Sequence, residues 1–276
     1  MKLIDFDEIF NRAMERELAK HAGERTEEEW ESAIAEAYAS FGRTVLPQLG
    51  KTPVQYFAEM SDQELCETLK EYILQDVPVP DFLSEELASR GAFPELLALL
   101  KETDEELVLY ALNALGPARP ALPRYAEMLA DDAYDEHVKD HLAELLKERA
   151  DEVADAMLAL AGTENAPSAL EVLPKVKARD GRVFDVLLSA SKGADEEELP
   201  LYAGYLASYG DERALPVLLA EIEREEIGFV AFQELKYAIE ALGGEYEKER
   251  DFSSDEAYKK IMAATAGADI FGRAKK

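Results

Sequence analysis

His137 and His141 stand four residues apart, a spacing that puts both imidazoles on one helical face and could chelate a divalent metal, with Asp140 and Glu144 beside them. No His-Glu dipeptide accompanies the pair. Exposed or capping imidazoles are therefore the preferred reading, His137 and His141 remain only candidate ligands, and no metal or cofactor is expected. Gly50-Lys51-Thr52 ends like a phosphate-binding loop, but that loop needs glycine at position 45, where the chain has Val45. Pro53 also removes an amide that such a loop would use, so a helix-initiating turn is expected instead. There is no Gly-x-Ser-x-Gly elbow and no Gly-x-Gly-x-x-Gly, and the single thiol, Cys66, falls in an acidic stretch. Carboxylates number 59, so their chance proximity identifies no acid/base pair. The expectation is a chain without catalytic activity.

Two features point to recognition rather than catalysis. Residues 174 to 192 carry Lys175, Lys177, Arg179, Arg182 and Lys192 against Asp180 and Asp185, a local excess of positive charge able to receive a carboxylate or phosphate. The alternative is a patch that neutralises adjacent acidic helices. Next along the chain, Tyr202, Tyr205 and Tyr209 fall three and four apart on one helical face. Such stripes usually pack into cores, yet tyrosine keeps a polar tip and is favoured at recognition surfaces. Both groups are read as candidate partner-binding residues on a single surface.

Charge narrows the partner. With 30 Lys and Arg against 59 Asp and Glu, the formal charge is −29, and each third of the chain is acidic. A surface of that sign repels polyanions, so nucleic acid and anionic membranes are excluded and a protein or peptide partner is expected. The longest uncharged runs, 107–118 and 199–210, are each 12 residues, against the roughly 20 that a membrane span requires. A lone cysteine and the acidic start MKLIDFDEIF point to a cytoplasmic chain.

The elements that would position these residues are helices. Ala (42), Glu (40) and Leu (36) outnumber Val (13) and Ile (9), which favours an all-α protein. Helix starts are marked by Ser or Thr followed three residues later by Glu, at Thr26/Glu29, Ser61/Glu64, Thr103/Glu106 and Ser253/Glu256, and by Thr52 before Pro53. Periodicity between these starts and the Gly or Pro stops predicts sixteen helices joined by short links, hence antiparallel neighbours. Helices over 166–178, 195–208 and 253–266 are among them. The turn glycines Gly116, Gly162, Gly210 and Gly243 recur at spacings of 46, 48 and 33 residues, the range of stacked helical repeats.

The segment LASYGDERALPVLLAEIEREEIGFVAFQELKYAIEALGG (206–244) closes one helix on Gly-Asp, opens the next with Ala-Leu-Pro and ends a third on Leu-Gly. In this it resembles the HEAT-like repeats grouped with the phycobilisome-lyase HEAT family, over about residues 84–243. The resemblance implies an α-solenoid of helix pairs, preceded by an N-terminal helical cap (1–83) and followed by a polar linker, terminal helix and basic tail (244–276). It implies a scaffold that holds a partner segment in a concave groove, with a lyase-type enzyme or ligand carrier as the alternative. The paired His-Glu dipeptides of HEAT-like di-iron hydroxylases are missing, and the acidity argues against the DNA-glycosylase branch.

Overall fold

The structure, a computed structural model, describes residues 3–20, 26–91, 93–163 and 166–267. Helix makes up 69% of it. Among the described residues no strand forms, and the one β-type contact is an isolated bridge between Leu46 and Lys51. The helices are α1 (Phe6–Lys20), α2 (Glu27–Phe41), α3 (Pro53–Ala58), α4 (Asp62–Leu74), α5 (Asp81–Arg90), α6 (Pro94–Leu99), α7 (Glu105–Leu115) and α8 (Leu122–Leu129). They continue as α9 (Glu136–Lys147), α10 (Ala150–Leu160), α11 (Ala166–Val172), α12 (Gly181–Gly193), α13 (Leu199–Tyr209), α14 (Leu215–Glu221), α15 (Phe229–Ala241) and α16 (Glu256–Gly267). The chain divides into two compact units, Met1–Tyr125 and Ala126–Lys276, with the boundary inside α8. That boundary lies within the stretch read as repetitive, and the helices α5 to α7 pack with the N-terminal ones.

Local chemistry accounts for the starts. Thr26, Thr52 and Ser61 each accept from the amide three residues on, and Glu29, Gln55 and Glu64 reach back to the cap amides, closing reciprocal boxes. Gly50-Lys51-Thr52 is thus a helix-initiating turn, with Lys51 paired to Glu59. Two expected boxes do not form. Asp104, not Thr103, caps α7 by accepting from the Leu107 amide at 3.0 Å, and Asp255, not Ser253, caps α16 by accepting from the Tyr258 amide at 2.9 Å. A carboxylate one or two positions on is a stronger acceptor than a hydroxyl and is drawn to the positive helix end.

In the first unit α3 packs on α5 and α5 on α7, while α4 packs on α6. Its N-terminal part is tied down by rings. Phe6 and Phe10 of α1 are buried, and Tyr38 stacks on Phe82 at 4.9 Å between centroids. The Tyr72 hydroxyl donates to the Ile4 carbonyl at 2.6 Å. In the second unit alternate helices again touch: α9 packs on α11 and α13 on α15, while α10 packs on α12. The segment after α15 is not a free polar linker. Tyr246 and Phe252 are buried, their rings 5.9 and 5.1 Å from that of Phe232. Arg250 donates to the carbonyls of Arg224 and Ile222. The basic tail expected beyond α16 lies outside the described residues.

Candidate functional site

The basic cluster is dispersed by one proline. Pro174 has no amide to continue the helix, so α11 stops at Val172, a 3-10 turn covers Leu173–Lys175, and the expected run to 178 is cut short. Lys175 therefore sits on a turn, Lys177 and Arg179 in the following loop, and Arg182 in the first turn of α12. Their roles separate accordingly. The Asp151 carboxylate accepts from the backbone amides of Lys177 and Ala178 at 2.8 and 2.9 Å, which pins the loop to α10. Arg179 donates to the Gly210 carbonyl at 2.7 Å, at the left-handed close of α13. Arg182 forks onto Asp180 at 2.6 Å and Asp155 at 2.8 Å. The two arginines read as partner-binding are thus occupied by the fold itself.

The tyrosine stripe also divides. Tyr209 is buried, and its hydroxyl donates to the Asp180 carbonyl at 2.8 Å and accepts from the Asp180 amide at 3.0 Å. It locks the start of α12 to the end of α13 and lines no surface. Tyr202 and Tyr205 remain half-buried, edge to face at 5.9 Å. Burial, then the charge of Glu171 and the neighbouring Tyr202, push the Tyr205 hydroxyl up to about 12, so it stays a hydrogen-bond donor at neutral pH.

What comes together is Tyr205 and Lys175. They share a cleft of about 580 Å³ with Lys147, Glu171, Pro174, Pro200, Leu201, Gly204 and Ser208. These residues come from α9, α11 with its turn, and α13. The Lys175 ammonium lies 3.2 Å from the Ser208 hydroxyl. Lys147 is held by Glu144 at 2.7 Å and Glu171 at 3.2 Å. A second cleft of about 350 Å³ adjoins through the shared Lys147 and Lys175 and adds Glu148, Arg149, Asp151, Glu152 and Lys177. Sequence reasoning missed Lys147, Leu201 and Gly204. The signal for Gly204 was available, since a glycine in mid-helix costs about 1 kcal/mol relative to alanine and calls for a reason.

His137 and His141 share the face of α9 as the spacing requires, but among the described residues no third ligand joins them. The Nε2 atom of His141 is buried without a hydrogen-bond partner among the described residues. Burial and the nearby His137 hold its pKa below the ordinary 6.5, against the opposing pull of Glu144. The unfolded chain therefore binds this proton at a higher pH than the folded one. Stability is retained above pH 6.5 and falls as pH drops from there toward the lowered folded value. His141→Leu is expected to flatten urea-unfolding stability between pH 6.5 and the carboxylate range. An unchanged slope in the variant would assign that acid sensitivity elsewhere.

Cys66 is buried. Burial, followed by Glu95, raises its thiol to about 12, so it is no nucleophile at neutral pH. No helix among the described residues is long and apolar enough to cross a membrane. Compared with protein-family models, curated proteins and solved structures, the chain matches none.

Proposed function

We propose that the chain is a non-catalytic interaction module that holds a segment of a partner protein against a stack of HEAT-like helix pairs. The observation that carries this reading is the composition of the larger cleft. Its walls come from α9, α11 and α13, the alternate helices of the second unit. In a solenoid, alternate helices form one layer, and that layer lines the groove in which repeat proteins bind extended segments. The i to i+2 packing of α9 on α11, α13 on α15 and α10 on α12 supports the same arrangement. The cleft also has the make-up of a recognition surface: an aromatic ring, an exposed leucine and two prolines beside a few polar groups.

Gly204→Leu tests it. A side chain added there has nothing within 4 Å of its Cβ, so the helix accepts it while the cleft fills. In quantitative affinity capture from native lysate, a protein retained by the parent chain is expected to be lost by Gly204→Leu with no loss of thermal stability. Identical captured sets would place any interaction away from this cleft.

A further inference from the structure

The two clefts that meet at Lys147 and Lys175 differ in chemistry, and the difference specifies an occupant. On one side Pro174, Pro200, Leu201 and Tyr205 surround Gly204. Leu201 is 52% exposed, an apolar side chain left in water unless something covers it. Gly204 is the sixth of eleven residues in α13, has an ordinary helical φ and faces open space. Neither a turn nor a close packing partner requires glycine there. What its missing side chain does provide is depth between Leu201 and Tyr205. On the other side lie the ammonium groups of Lys175 and Lys177, neither of which has a carboxylate within ion-pair distance among the described residues. Of the carboxylates lining the two clefts, Glu171 is held by Lys147, Glu152 by Arg149 and Asp151 by two backbone amides, while the exposed Glu148 forms no ion pair with either lysine.

We propose that this double cleft binds an acidic peptide segment. An aliphatic or aromatic side chain lies over Gly204 between Leu201 and Tyr205, and an adjacent Asp or Glu carboxylate is taken by Lys175 and Lys177. The inference rests on the groove reading above and names its ligand. A carboxylate fits better than a phosphoryl group for two reasons. The one arginine lining the double cleft among the described residues, Arg149, is paired with Glu152 at 3.0 Å, and Arg179 and Arg182, which line neither cleft, are held by the Gly210 carbonyl and by two aspartates. A dianion would also meet more repulsion from a chain of charge −29.

The test sets this local chemistry against the global charge. Left to long-range attraction, so acidic a protein would select basic peptides. A displayed library of short random peptides, panned on the full chain at physiological salt, is expected to enrich Asp or Glu next to Leu, Phe or Tyr. A selected peptide should then lose at least tenfold in affinity against Lys175→Gln/Lys177→Gln, and at least tenfold against Gly204→Leu. The melting temperature should be unchanged for the first variant and unchanged or higher for the second, because leucine is the better helix former. Fluorescence anisotropy and thermal unfolding read both. Basic or neutral peptides that Gly204→Leu still abolishes would overturn the acidic ligand and leave the groove standing. Enriched peptides indifferent to all three substitutions, or no enrichment, would overturn both.

Discussion

Replacing Tyr209 by alanine is expected to cost about 3–5 kcal/mol of unfolding free energy, the range for removing a large buried aromatic side chain. Three observations set the size. Tyr209 is only 7% exposed, its ring lies in the core of the second unit, and its hydroxyl satisfies both backbone groups of Asp180. Tyr209→Phe isolates the hydroxyl. The Asp180 amide and carbonyl keep their bonds to the Ala178 carbonyl and the Phe184 amide, so losing the hydroxyl costs about 0.5–1.5 kcal/mol, as for an ordinary hydrogen bond, and this variant should recover most but not all of the loss. Tyr202→Ala and Tyr205→Ala, truncating half-buried rings in the same stripe, should cost less. Urea unfolding of the full chain measures all four. A loss below about 1 kcal/mol for Tyr209→Ala would return this residue to the surface and restore the undivided stripe.

The same residues show how far the sequence was legible. Helix number and type followed from composition and period, because Ala, Leu and Glu favour helix wherever they fall and the turn glycines interrupt them. Three of the five marked starts formed as read, at Thr26, Thr52 and Ser61, the last with Asp62 directly after the capping hydroxyl. At Thr103 and Ser253 an aspartate outcompetes the hydroxyl, a contest that spacing alone does not decide. The candidate site was legible only as a neighbourhood. Period places Tyr202, Tyr205 and Tyr209 on one face, but which of them that face buries depends on how α12 begins, a long-range fact. The basic cluster reads as one patch in a linear sequence. It is broken in space because Pro174 ends α11 and because Asp151, Asp155 and Asp180 claim its loop and one arginine. Lys147, far away in sequence, joins Lys175 only through the packing of α9 on α11.

In the first unit, Gly42 and Phe82 should behave as one energetic unit. Phe82 is 5% exposed and is ringed by Tyr38, Phe6 and Phe41, with centroids at 4.9, 6.5 and 6.2 Å. Phe82→Ala is expected to cost about 3–5 kcal/mol. Gly42 follows α2 in an ordinary right-handed conformation, φ −56° and ψ −22°, so alanine there meets no backbone strain and would by itself narrow the unfolded ensemble and stabilise the fold. Instead its Cβ would overlap the edge of the Phe82 ring, and overpacking of this kind costs about 1–3 kcal/mol. Once Phe82 is truncated the obstacle is gone and a cavity takes its place. Gly42→Ala should then be neutral or stabilising, which makes the pair non-additive by at least about 1 kcal/mol, within the range found for residues in contact. A double-mutant cycle by urea unfolding reads this directly. Additivity to within about 0.5 kcal/mol would mean that the ring moves aside freely. The packing of α2 against α5 through Phe82 would then be looser than the stacked Tyr38 and Phe82 rings require.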